Sequence, residues 1–190
     1  MGAITRTFAN QIKTGGKLDA DGLDLTDTFA FTGTVSGAGE SNTPSFFARL
    51  TTVQSLSANT LTKIQFDTED IDTNTAYDNA TNYRFTVPAG EGGKYYFYAS
   101  GYFVPTGESD LSYAQVYLYK NGTLYQGTNS DFRAGRIFTF TQHCAGIMDL
   151  SAGDYVEAYA YTSGTTAVTL EDDNGRVDRF NVFYGYKLSS

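Results

Sequence analysis

The sequence predicts an all-β chain built as a sandwich or jelly roll. Three observations predict it. From Ser45 onward, short stretches alternate in side-chain character and are separated by turn signals. The composition leans on 15 Tyr and 14 Phe with no Trp, beside abundant Thr and Gly and sparse Leu and Ile, which suits pleated, half-buried surfaces. Helix formers nowhere gather at helical spacing, and no solenoid repeat, heptad or Gly-X-Y run is present. The 190 residues suffice for one cored domain plus an appendage.

The elements follow in order. Phe46, Phe47 and Leu50 open the first strand, and Leu61 to Phe66 reads as another. Tyr95, Phe97, Ala99, Gly101 and Phe103 then alternate with Tyr96, Tyr98, Ser100 and Tyr102. Both faces of that strand are aromatic, so it is expected to be covered on both sides, one by core and the other by a subunit contact. Ala114, Val116 and Leu118 alternate with Gln115, Tyr117 and Tyr119. Asn121-Gly122 follows, a pair that tolerates the positive φ of a tight hairpin turn. Phe138, Phe140, Cys144, Met148 and Leu150 share one parity. Ser151 to Asp154 turns the chain into Tyr155 to Tyr161, Asp173 to Gly175 forms a further turn, and Arg179 to Leu188 is the closing strand.

Residues 1 to about 43 have a different texture. They are rich in Gly, Thr and Asp, with isolated apolar residues such as Ile4, Phe8, Leu18, Leu25 and Phe31. That is too little apolar surface for a core, so order there has to come from docking on a partner or pairing with copies of itself. Gly33 to Pro44 is the hinge by composition. The expected division is an extended N-terminal anchor and hinge at 1–43 and a knob at 44–190.

The knob resembles the globular head of complement component 1q, a jelly roll related to tumour necrosis factor. Phe66, Asp72, Tyr77-Asp78, Phe85-Thr-Val-Pro88 and Gly93-Lys-Tyr95-Tyr-Phe97 occur in the family's order. So do Lys120-Asn121-Gly122, Asp149-Leu-Ser-Ala-Gly-Asp-Tyr-Val156 and Phe183-Tyr-Gly185-Tyr-Lys-Leu188. Glu91-Gly92 looks like an insertion, Ala99 sits where an aromatic is usual, and no collagen stalk is present. The resemblance implies a homotrimer, and it places Tyr95, Phe97 and Phe183 at or near the subunit contact. The alternative is that these three are ordinary core aromatics.

Catalytic signatures are missing. His143 and Cys144 are neighbours, and neighbours on a strand point to opposite faces, so they are poorly placed as a base and nucleophile. No phosphate-cradling glycine loop, zinc spacing or serine elbow is present. The acidic stretches Asp67 to Asp72 and Glu171 to Asn174 lack the spacing of a helix-flanked calcium loop. No cofactor is expected. Calcium is the one ion the resemblance leaves open, because some members of that family bind it near the trimer apex. Asn79-Ala-Thr81 and Asn121-Gly-Thr123 fit the glycosylation sequon, the second being better explained as a turn.

The formal net charge of −8 argues against nucleic acid and against an anionic membrane surface. With one cysteine no intrachain disulfide forms, and no apolar run is long enough to span a membrane. Met1 to Asn10 lacks the apolar region of a signal peptide.

A non-enzymatic role is therefore expected. The segments ITRTFANQI and TFAFTGTVSGAG also look like the opening of tailed-bacteriophage fibre and decoration proteins. That resemblance implies a protein made in the host cytoplasm and carried on the virion surface. It would be a capsid or tail decoration or short fibre, anchored to other virion proteins through residues 1–43 and adhering to host-surface glycan or protein. The alternatives are the receptor-binding tip of a tail fibre, or a secreted, extracellular lectin-like module. A carbohydrate-active enzyme would need paired carboxylates facing one cleft. Expected contact loops are Glu108 to Leu111, Asn129 to Arg136 and Glu171 to Arg176, with Asp131, Phe132, Arg133, Glu171, Asp172 and Asp173 as the ligand-binding candidates, since surface loops often carry function.

Overall fold

Short alternating strands become a two-sheet sandwich. A computed structural model describes residues 42–107, 111–135, 137–171 and 180–189. Their strands are β1 (Ser45–Arg49), β2 (Gln54–Leu56), β3 (Thr62–Lys63), β4 (Thr68–Asp72), β5 (Tyr77–Asp78), β6 (Arg84–Thr86) and β7 (Gly93–Pro105). They continue with β8 (Leu111–Lys120), β9 (Thr123–Asp131), β10 (Phe140–Leu150), β11 (Tyr155–Gly164), β12 (Val168–Leu170) and β13 (Val182–Ser189). The anchor expected at 1–43 falls almost wholly outside these residues. At its end, Asn42 Nδ2 donates to the Lys187 carbonyl at 2.9 Å, and the Lys187 amide donates to the Pro44 carbonyl. The chain is thus tied to the last strand from residue 42.

The first sheet runs β2-β12-β7-β13-β1-β4, with β10 also paired to β7. β10 pairs antiparallel along β7 from Gly93 to Phe103, while β13 and β12 pair with successive parts of β7. The second sheet runs β5-β6-β11-β8-β9, with β3 also paired to β11. The two sheets meet at one side, where β9 reaches the backbone of β10. Tyr125 Oη donates to the Ile147 carbonyl at 2.7 Å, and the Thr128 hydroxyl donates to the His143 carbonyl. Side chains thereby satisfy β10 carbonyls that sheet pairing leaves available.

The core is aromatic. Phe46, Phe66, Phe85, Tyr95, Phe97, Phe103 and Phe183 are essentially inaccessible to water. Phe46 stacks on Tyr77 at 4.9 Å and meets Phe183 edge-on at 4.9 Å, geometries that add to simple area burial. Space for these rings is made by small partners. Gly185 pairs with Phe97 across β13 and β7, and a Cβ there would lie 2.6 Å from the Phe97 ring. Ala99 likewise pairs with Phe183.

The predicted turns form where local chemistry demands them. Asn121 and Gly122 adopt φ of 50° and 75° between β8 and β9, the geometry that favours Asn-Gly. Gly153 has φ 87° in the turn before β11. The two turns are joined, because Asn121 Nδ2 donates to Asp154 Oδ1 at 2.8 Å and the Tyr155 amide donates to Asn121 Oδ1 at 2.9 Å. Departures from expectation are local. Leu61 to Phe66 forms only the two-residue β3, with Ile64 and Phe66 buried beyond it. Phe138 precedes β10 and is 64% exposed, so it does not share the inward parity of Cys144 and Met148. The turn expected at Asp173 to Gly175 lies outside the described residues.

One turn titrates. The Asp78 carboxylate accepts from the amides of Ala80, Thr81 and Asn82, and from Asn82 Nδ2 at 2.7 Å. These bonds, the Thr81 amide foremost, hold its pKa at about 2 against an ordinary 3.8. The stabilisation is present in full above 3.8 and is lost as pH falls through about 2. Asp78→Ala should therefore show a smaller drop in urea midpoint between pH 4 and pH 2 than the parent chain. An equal drop in both would remove Asp78 from the account of acid unfolding.

Candidate functional site

The side chains expected at a subunit contact lie elsewhere. Tyr95, Phe97 and Phe183 are each 0% exposed within one chain. They point between the sheets, where Phe97 meets Phe85 at 5.4 Å and Phe183 meets Phe46, so within one chain they are core residues. The period of a strand puts the opposite parity outside. On that outer face of the first sheet, the register aligns Phe47 with Tyr184 and Tyr184 with Tyr98. Phe47 stacks on Tyr184 at 5.6 Å, Tyr184 on Tyr98 at 5.0 Å, and Tyr98 on His143 at 5.7 Å. Beside this row, Tyr186 packs on Tyr96 at 5.6 Å.

The ladder crosses four strands and is flanked by aliphatics. Ile71 pairs with Phe47 on one side and Ile147 pairs with Tyr96 on the other, and both are more than half exposed. Burial, and then the neighbouring Tyr96, Tyr98 and Tyr186, pushes the Tyr184 phenol above the ordinary tyrosine range. Tyr125 on β9 is also exposed and lies next to Ile147 on β10. Apolar surface gathered in this way marks a contact site.

His143 and Cys144 point to opposite faces, as their adjacency requires. His143 is exposed on the ladder, whereas Cys144 is in the core with its thiol pushed up to about 11 by burial. A thiol so protonated and inaccessible is a poor nucleophile. The first acidic stretch is engaged by its own chain. Asp67 Oδ1 accepts from the Thr51 amide and hydroxyl, Asp70 pairs with Arg49 at 3.1 Å, and Asp72 accepts from the amides of Ala76 and Tyr77. Among the described residues, no group of three or more His, Cys, Asp or Glu side chains is placed to hold a metal.

The loop candidates separate. Asp131 and Arg133 form an exposed ion pair at 2.5 Å, and the Arg133 guanidinium lies 4.9 Å from the Tyr113 ring. Those bonds from Arg133 hold the Asp131 carboxyl below its usual range. Phe132, between them, packs on Phe140 at 4.8 Å and rests against the core. Glu171 belongs to the first sheet, where its carboxylate accepts from the Thr169 hydroxyl at 2.9 Å and its amide donates to the Tyr102 carbonyl. The structure therefore places Asp131 at the end of a second-sheet strand and Glu171 beside the first sheet. Asp172, Asp173, Arg136 and residues 108–110 lie outside the described residues.

Pattern reading missed a second tyrosine face. Tyr113, Tyr117 and Tyr119 of β8 and Tyr155, Tyr159 and Tyr161 of β11 are half-buried on the outer side of the second sheet. The signal was present, since each alternates with an inward Ala, Val or Leu such as Val116, Leu118, Ala158 or Ala160.

Solved structures share this architecture. The chain is similar to the Eiger TNF from S. frugiperda, at 12% identity and TM-score 0.55, over 77% of this chain and 92% of that one. It is similar to the globular domain of the zebrafish complement 1qA protein, at 15% identity and TM-score 0.50, over 77% of this chain and 98% of that one. Murine APRIL at pH 5.0 matches at 11% identity and TM-score 0.52, over 76% of this chain and 98% of that one. At such identities the likeness establishes the fold alone: an all-β jelly roll of tumour necrosis factor and complement 1q type. No protein-family model matches the sequence, and no curated protein matches it.

Proposed function

We propose that this chain is a non-enzymatic structural protein of a tailed-bacteriophage virion. It is a homotrimeric surface knob mounted on capsid or tail as a decoration or short fibre. Residues 1–43 anchor it to other virion proteins, and the knob adheres to host-surface glycan. The observation that carries the assembly is the aromatic ladder on the first sheet, flanked by the exposed Ile71 and Ile147. The exposed Tyr125 on β9 continues that surface past Ile147. Copies that meet through such a surface close into a ring when the rotation allows. Three copies are the closure that the resemblance to complement 1q implies. The virion setting is supported by the N-terminal segments ITRTFANQI and TFAFTGTVSGAG, with their phage-like texture.

The test uses particles. Deleting residues 1–43 should leave a soluble, cooperatively melting trimer that no longer incorporates into virions. Aggregation of the truncated chain, or undiminished incorporation, would contradict the anchor. Finding the full chain on capsid shells that lack tails would place it on the capsid, and finding it only on tailed particles would place it on the tail.

A further inference from the structure

We propose that the outer face of the second sheet, with the cleft at its rim, is a binding platform for a neutral oligosaccharide. The proposal rests on the adhesion reading above and assigns that adhesion to a site. Strand register lays the face out in rows. Leu124, Tyr119, Glu157 and Arg84 form one, Gly127, Tyr117, Tyr159 and Lys63 the next, and Asn129, Gln115 and Tyr161 a third.

Its rings are held in place before any ligand arrives. Tyr117 lies against Gly127, where an added Cβ would stand 2.2 Å from the ring. The Tyr117 hydroxyl donates to Gln115 Oε1 at 2.5 Å, and the Tyr119 and Tyr159 rings are 4.6 Å apart. Fixed side chains lower the ordering cost of binding.

Carboxylates partner two of the cations on this face, Lys63 and Arg133. Glu157, 4% exposed, pairs with Lys63 at 2.5 Å. The Arg84 guanidinium lies 4.2 Å from the Tyr155 ring, and Arg133 is paired with Asp131. Beside these pairs the face presents aromatic carbon, phenol hydroxyls and the Gln115 and Asn129 amides, on a chain of net charge −8. This disfavours a polyanion. The matching ligand is uncharged, with a carbon face to stack on tyrosine and hydroxyls to bond with phenol and amide groups, and a pyranose has both. Tyrosine suits that work because it is rigid and amphipathic.

A cleft is linked to the platform through Lys63. Lys63 Nζ also donates to the Asn82 carbonyl at 3.1 Å. The next residue, Tyr83, lines a polar cleft of about 540 Å³ with Gln54, Gln65 and Asp67. An extended sugar chain crossing Tyr119 and Tyr159 would reach this cleft past Lys63.

The experiment is affinity electrophoresis of the full chain in gels holding dextran, galactomannan or soluble xyloglucan, with alginate as the polyanion control. Retardation by at least one uncharged polymer and not by alginate is expected. Tyr119→Ala with Tyr159→Ala should weaken it tenfold or more with oligomeric mass unchanged, and Tyr159→Phe, which keeps the ring, should weaken it far less. Tyr161→Ala with Gln115→Ala, at the margin of the face, serves if the first pair does not fold. No retardation by any uncharged polymer, binding to alginate alone, or full retention of binding in the folded Ala variants overturns the proposal. A chain that forms trimers and enters particles yet is not retarded would overturn this site while leaving the structural-knob reading standing.

Discussion

Phe183→Ala is expected to destabilise the knob by about 3–5 kcal/mol, the cost of truncating a fully enclosed phenylalanine. Its ring is 0% exposed and touches Phe46 at 4.9 Å, Phe66 at 5.7 Å, Tyr77 at 5.9 Å and Phe97 at 6.2 Å. No neighbouring backbone is free to collapse into the space, because β13 is held between β1 and β7. Domains are commonly stable by only about 5–15 kcal/mol, so the variant sits close to unfolding. Urea titration should show a much lower midpoint with the slope preserved. A loss below about 1 kcal/mol, with the change confined to oligomeric mass, would return Phe183 to a subunit contact.

Tyr184→Glu should have the converse effect: the single-chain fold persists and the assembly falls apart. Tyr184 is the middle ring of the ladder, between Phe47 and Tyr98, and lies on the outer face of the sheet. A carboxylate there would be desolvated without a partner each time two copies meet. Aromatic residues central to an interface often contribute about 2–4 kcal/mol each, and a symmetric ring repeats the loss at every contact. Sedimentation velocity should report monomer at micromolar concentration, with near-ultraviolet circular dichroism close to the parent's. A variant that keeps the parent's mass would remove the ladder from the contact.

Much of this was readable in the residues. The alternation from Tyr95 to Phe103 produced the long β7, and Asn121-Gly122 produced the hairpin, because in both cases the local chemistry decides the backbone. The side of β7 that faces the core was readable too, from a signal passed over at first. Inward Tyr95, Phe97, Ala99, Gly101 and Phe103 include the small residues that opposing rings require, whereas the tyrosines Tyr96, Tyr98 and Tyr102 of the other parity are only half-buried. Counting both sets simply as aromatic hid the difference.

Other features depend on distant partners. Strands as short as β3, β5 and β6 exist only because β11 and one another supply their hydrogen bonds. Phe132 looked like an exposed loop aromatic, but Phe140, eight positions on, gives it a packing partner. Asp131 and Glu171 sit in similarly polar stretches of sequence, and sheet topology separates them.

The account stands or falls on self-association through the outer face of the first sheet. The most direct measurement is the native mass of the full chain at micromolar concentration. Three chain masses in a single species is the predicted result, and a monodisperse monomer would contradict it.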